Sequence, residues 1–324
     1  MSSQTCLVVM YHYVRDSRTT AFPDIRALAP DLFRQQLDWL QANYTVVRLA
    51  DVEAALDGRG ALPVNAALLT FDDGSVDHFD TVCPMLVERG VTGTFFLSQD
   101  ACGVSPQLLN VHKTHFLLAR LGAAAFSRAV LAESGLSRPS MDGAAVFGAD
   151  VWEEGDDRAV KQLLNYELPY ADADRVLDAL FARHIGDARA FARSLYLDAA
   201  MIGEMARHGM TFGFHTRSHR MLSRLAPGEQ RAEVAGGVGW IRDLTGQTTV
   251  PFCYPWGGRR TYTAETTEIL RAAGYSVAFN TERRRLRVAA DARYELPRLD
   301  TRDLPPYTRG EEDAMLATAP SEDA

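Results

Sequence analysis

The sequence predicts an α/β protein with a parallel sheet or barrel at its centre, and three features carry that expectation. Short apolar runs of strand length recur along the chain, each is followed by a stretch of helical pattern, and several stop at Asp, His or Gly, as buried strands do where they turn out of a sheet. Taken in order, CLVVMY at 6–11 reads as the first strand, 30–43 as a helix opened by its proline, TVVRL at 45–49 as a strand, and 51–56 as a short helix capped by Asp51. ALLTF at 67–71 is a buried run ending in an acidic turn; a helix over about 77–89 and the strand GTFFL at 93–97 come next. The rhythm resumes with a helix near 198–208, the strand TFGFH at 211–215, a helix over 228–245, the strand VPFCYP at 250–255, a helix over 262–273 and the strand SVAFN at 276–280.

Between these halves the pattern turns helical, with helices expected over 114–124, 126–134, 160–165 and 172–184. We read 99–197 as one helical insertion, a lid or a dimer surface, within a single domain spanning 1–304. The insertion also carries Trp152, Glu153, Glu154, Asp156 and Asp157. The stretch 305–324, rich in Pro, Asp, Glu, Ser and Ala, reads as a flexible tail.

Bulk properties narrow the function. A formal net charge of -8 disfavours a nucleic-acid partner, despite the local cluster Arg283, Arg284, Arg285 and Arg287. No apolar run is long enough to span a bilayer, and the N-terminus lacks the basic start and apolar core of a signal peptide. Four cysteines, Cys6, Cys83, Cys102 and Cys253, lie far apart without metal-ligand spacing and read as reduced thiols. The expectation is a cytoplasmic enzyme without membrane contact, possible as a homodimer through the insertion.

Three segments carry chemistry, each at the end of an expected strand. In LLTFDDG at 68–74, Asp72 and Asp73 leave a buried strand at the edge where α/β folds bind ligands, and Gly74 permits a sharp turn; an ordinary surface Asp-Asp-Gly turn accounts for the same letters. In FGFHTRSHR at 212–220, His215 and His219 are spaced so that a turn brings both imidazoles to one face, as in divalent-metal sites, although either could simply cap a loop. Two histidines and one carboxylate make a facial set with positions open for water and substrate. In PFCYPWGG at 251–258, Pro255 and Gly257 shape a turn that aims the Trp256 N–H toward the site as an oxyanion donor, or merely packs the indole.

In this order the three segments resemble the polysaccharide deacetylases, carbohydrate esterase family 4, also called NodB-homology domains. TFDDG at 70–74 is similar to that family's first motif, HTRSH at 215–219 to its second, His-Ser/Thr-x-x-His, and YPWG at 254–257 to the core of its third. The resemblance covers roughly 6–98 and 198–300. It implies a distorted (β/α)7 barrel and metal-dependent hydrolysis of an N-acyl amide on an amino sugar, oligosaccharide or related metabolite. It further implies Asp72 as general base, and Asp73, His215 and His219 as ligands of zinc, with cobalt, nickel or manganese as alternatives. Tyr254, Pro255 and Gly257 would line the substrate site. The chain departs from the family twice. Where the family often places a proton-donating histidine, YELPRLDTRDL at 294–304 has none; His12 at the end of the first strand is the substitute, with His112 and His115 behind it. Cys253 stands where an arginine often orients the base, and Arg298 could supply that charge from another strand. Two other readings are a hydrolase of cyclic amides or ureides on the same barrel and a degenerate carbohydrate-binding protein.

Overall fold

The computed structural model describes residues 4–136 and 160–308. Trp152, Glu153, Glu154, Asp156 and Asp157, and the tail beyond 308, lie outside the described residues. The strands are β1 (Thr5–Tyr11), β2 (Thr45–Val46), β3 (Ala66–Phe71), β4 (Thr94–Leu97), β5 (Thr211–Phe214), β6 (Phe252–Cys253), β7 (Ala278–Phe279), β8 (Leu286–Arg287) and β9 (Leu299–Asp300). They form one sheet in which β7, β6, β5, β4, β3 and β1 are parallel neighbours. β2 shares an edge of β3 with β4: Thr45 and Val46 pair with Ala66 and Ala67, and Thr94 and Phe95 with Thr70 and Phe71.

The sheet curls because one short segment meets both of its ends. Leu296 pairs with Phe279 of β7, and three residues later Leu299 and Asp300 pair in parallel with Val9 and Met10 of β1. The result is the distorted, incompletely closed (β/α)7 barrel that the resemblance implied.

Strand alternation sorts the apolar residues into two layers. Leu7, Val9, Tyr11, Ala67, Leu69 and Phe71 face the helices, whereas Cys6, Val8, Ala66 and Leu68 join Phe96, Cys253 and Phe279 in a second, smaller cluster. On the helix side, Phe71 stacks between Tyr11 and Phe95 at centroid distances of 5.1 and 4.7 Å and meets Phe33 edge-on, which seats the helix Pro30–Asn43 on the sheet. Phe71 facing outward sends its neighbours Thr70 and Asp72 inward.

Three of the sequence expectations change most. The strand expected at 45–49 stops at Val46, because Leu49 already begins a helix running to Leu56; Asp51 caps it by accepting the Arg48 N–H. The single helix expected over 228–245 is two, Pro227–Val234 and Gly237–Thr245, with Gly236 at φ 75° between them. At Gly237 a Cβ would come within 2.3 Å of the Tyr275 hydroxyl and 2.5 Å of Phe214, so only glycine lets the second helix lie this close to the sheet. The third is an additional helix, Ala188–Leu195, N-capped by Asp187, whose carboxylate accepts the Arg189 and Ala190 N–H groups.

The insertion is packed into the main core. Its helices Asn110–Leu121, Ala123–Ser134 and Tyr170–His184 contribute Leu117, Phe126, Val176 and Phe181 to the same buried cluster as the outer strand faces. No helix among the described residues is long and apolar enough to cross a membrane. The basic cluster is drawn into local pairs: Arg284 bridges Glu282 and Asp291, Arg283 binds Asp303, and Arg285 donates to the Tyr44 hydroxyl.

Candidate active site

The carboxyl ends of β1, β3, β5 and β6 converge on one mouth. Asp72 follows β3 directly and points to the barrel interior, on the same face as Thr70. There it meets Arg298, buried just before β9. The guanidinium grips both Asp72 oxygens, Nη1 to Oδ1 and Nη2 to Oδ2, each at 2.8 Å. It also donates to the Thr70 hydroxyl, the Asn280 carbonyl and the Cys253 sulfur. Burial by itself would raise the Asp72 pKa, but the charge and hydrogen bonds of Arg298 outweigh it and hold the carboxyl at about 2. Arg298 thus supplies the charge beside Asp72 from a different strand, while Cys253 lies against both groups.

Asp73 turns the other way because its backbone is left-handed, φ 75°, as is that of Gly74 at 68°. The sharp turn therefore begins one residue before the glycine. A Cβ on Gly74 would lie 2.4 Å from the Cys102 sulfur, so glycine serves there for close approach as well as for conformation. Outside this site, among the described non-glycine residues, only Asn65 shares a positive φ; Asp73, Thr216, His219 and Trp256 all stand at the mouth. Strained backbone concentrated in one place marks where side chains are being aimed.

His215 and His219 are brought together by that conformation and not by a helix. With Thr216 at φ 62° and His219 at φ 59°, the two imidazole centroids come to 4.8 Å. The Thr216 hydroxyl accepts the His219 N–H, and Glu233 takes the Ser218 N–H and hydroxyl at 2.9 and 2.6 Å, which fixes the loop. His215 donates its Nδ1–H to the Cys253 carbonyl at 2.8 Å, leaving the Nε2 lone pair toward Asp73. Burial pushes His215 down to about 4, so it is neutral near pH 7, the form that ligates metals.

Asp73 Oδ1 lies 3.5 Å from His215 Nε2 and 3.3 Å from His219 Nε2, yet it is buried and has no hydrogen-bond partner among the described residues. Asp73, His215 and His219 each offer a donor atom within 4.8 Å of the others. Three converging buried donors, one an orphaned carboxylate oxygen, fit a divalent cation and are costly without one. A second grouping, Asp72, His215 and Cys253, is equally compact. It does not fit, because both Asp72 oxygens are already engaged by the Arg298 cation, which also lies 2.9 Å from the Cys253 sulfur, and burial pushes that thiol well above its usual range.

His12 stands at the rim with 42% of its side chain exposed and Nε2 4.0 Å from Asp72 Oδ2; His78 holds its loop by bonding the His12 carbonyl. Trp256, at φ 67°, is half-buried with its ring 5.6 Å from that of His219. Tyr254 is nearly fully buried, stacked on Tyr262 at 3.9 Å with its hydroxyl on the Tyr294 carbonyl, and Pro255 and Gly257 are buried too. These three support the turn from beneath and leave Trp256 as its accessible side chain. Gly257, at φ 63°, would drive a Cβ to 2.4 Å from Thr281 Cγ2.

The insertion reaches the site. His112 is buried with Nε2 3.2 Å from Asp73 Oδ2, and its Nδ1 is 2.5 Å from the hydroxyl of Tyr196, a residue that no sequence signal singled out. His115 packs 6.0 Å from His112 behind it. A cavity of about 190 Å³ opens from His219 and Trp256 along the insertion, lined by Asn110, Lys113, Tyr170, Asp174, Asp178 and Arg220 among others.

A sequence model described as Polysaccharide deacetylase matches residues 59–114 and 168–278, more than half of the chain. The chain belongs to the polysaccharide deacetylase family. YxkH of Bacillus subtilis (strain 168), whose name places it among polysaccharide deacetylases, is 31% identical over 87 residues, 27% of this chain and 30% of that protein. The match thus spans about a third of this relative's length. Among solved structures, the Streptococcus pyogenes deacetylase PplD, in complex with acetate, superposes with a TM-score of 0.56 at 17% identity, over 92% of this chain and 93% of that one. IcaB from Ammonifex degensii gives a TM-score of 0.54 at 21% identity, over 92% of each chain. At these identities the two structures speak to the fold alone.

Proposed function

We propose that the chain is a metal-dependent deacetylase that hydrolyses an N-acetyl, or other N-acyl, group on an amino sugar or oligosaccharide, with one divalent cation, zinc by preference, held by Asp73, His215 and His219. The observation that carries this reading is the unpartnered, buried Asp73 Oδ1 between two imidazole nitrogens. When bound, a cation there would polarise the scissile carbonyl and acidify water.

The chain's own residues do the rest. Asp72, kept ionised by Arg298, accepts the proton of the attacking water; the guanidinium uses one lone pair of each oxygen and leaves others free. The turn at Trp256 presents its backbone N–H to the oxyanion, and the indole covers the site beside His219. His12, exposed and near Asp72, returns a proton to the leaving amine. The polar cavity beyond His219 and Trp256 suits hydroxyl-rich substrate. The test is acetate release from N-acetylated chitooligosaccharides and N-acetylglucosamine by the zinc-loaded protein: activity that disappears in Asp73→Ala supports the reading, and equal activity in that variant overturns it.

A further inference from the structure

We infer that His112 and Tyr196, both from the helical insertion, form a positioning pair that locks the Asp73 carboxylate so that Oδ1 alone is left for the cation. This rests on the reading of Asp73 as a metal ligand. The hydrogen-bond directions are set by a backbone group. The Leu109 N–H donates to the Tyr196 hydroxyl oxygen at 3.1 Å, so the Tyr196 O–H is free to donate onward to His112 Nδ1 at 2.5 Å. With Nδ1 as acceptor, the ring proton sits on Nε2, which donates to Asp73 Oδ2 at 3.2 Å. His112 therefore turns a hydrogen, and no lone pair, toward the centre. It holds the carboxylate and cannot compete for the cation.

The same segment fixes the backbone that carries Asp73. Tyr196 pairs antiparallel with Ser75, the Val76 N–H donates to the Leu195 carbonyl at 2.7 Å, and the Leu197 N–H donates to the Gly74 carbonyl at 2.9 Å. The left-handed turn at Asp73 and Gly74 is thus stitched to the end of the insertion, and its ligand carboxylate is oriented by a helix from the start of it. Ligands whose outer partners are fixed in this way bind metal more tightly, and removing such a partner costs about 10- to 100-fold in affinity.

The experiment is zinc affinity, measured by chelator competition on the full chain, for wild type, His112→Ala, His112→Gln, Tyr196→Phe and Asp73→Ala. His112→Ala weakens zinc binding by at least about tenfold. His112→Gln, whose amide can donate to the same oxygen, recovers most of the loss, which simple loss of packing would not produce. Tyr196→Phe removes one oxygen and keeps the shape; it weakens binding several-fold even if His112→Ala does not fold. Zinc affinity within about twofold of wild type in Tyr196→Phe and His112→Ala, or no difference between the Gln and Ala variants, overturns the inference while Asp73→Ala still abolishes binding. If Asp73→Ala binds zinc as wild type does, the ligand assignment itself fails and the inference with it.

Discussion

Replacing Arg298 with Met isolates the interaction on which the proposed base depends. The side chain is 1% exposed and its partner Asp72 3%. Asp72 sits at about 2 in the folded chain, against an ordinary value of 3.8, a depression that corresponds to roughly 2 kcal/mol. Removing the cation does more than forfeit that, because a buried carboxylate is left uncompensated; breaking such a pair from one side costs about 3–5 kcal/mol. The sign with pH is defined. In wild type the depressed carboxyl contributes its full stability above 3.8 and loses it only as pH falls from there through about 2, so between pH 7 and 5 it is constant. In Arg298→Met, burial raises the Asp72 pKa instead, the folded state takes up a proton first, and the variant gains on wild type as pH falls. Urea unfolding of both proteins with a chelator present, at pH 7 and pH 5, checks this. A deficit of about 3–5 kcal/mol at pH 7 that narrows at pH 5 is expected; a deficit below about 1 kcal/mol, or one that is the same at both pH values, refutes the reasoning.

Further outcomes follow from the same geometry. Asp72→Asn keeps the metal donors intact, so it retains zinc but loses turnover by about 10²-fold or more; activity near wild type would remove Asp72 from the base role. His12→Ala lowers the hydrolysis rate by a similar factor without changing zinc content, and an unchanged rate returns His12 to holding its own loop. Gly257→Ala forces a Cβ against Thr281 at positive φ and costs roughly 1–3 kcal/mol in thermal or urea unfolding, whereas Gly258→Ala, whose nearest neighbour would be 3.7 Å away, is close to neutral.

Much of this site is legible in the chain because it lies at strand ends. Asp72, Asp73, His215 and the Trp256 turn all follow apolar runs whose period and termination announce a sheet edge, and Arg298 is reached through the resemblance, because Cys253 stands where the family often has an arginine. What escapes sequence reasoning is conformation set by tertiary packing. Asp73, Thr216, His219 and Trp256 adopt left-handed backbone that their residue types rarely choose. Local preference therefore places the turn at Gly74, one residue late, and gives no sign of the left-handed residues that bring the two histidines together. The break at Gly236 is written in a Gly-Gly pair, but its reason, the close approach of Gly237 to Phe214 and Tyr275, lies far along the chain. Tyr196 is one tyrosine in an unremarkable stretch, and only the folded insertion brings it to His112. Strands as short as β6 and β7, two residues each, have apolar flanks that read as longer strands.

Every role proposed at this site depends on Asp73, His215 and His219 holding a metal. Elemental analysis of the purified protein beside His215→Ala and His219→Ala is the direct measurement: about one equivalent of a divalent metal in wild type, lost in both variants, is the predicted result. No metal in wild type even after incubation with zinc, or an equal content in the variants, would contradict it.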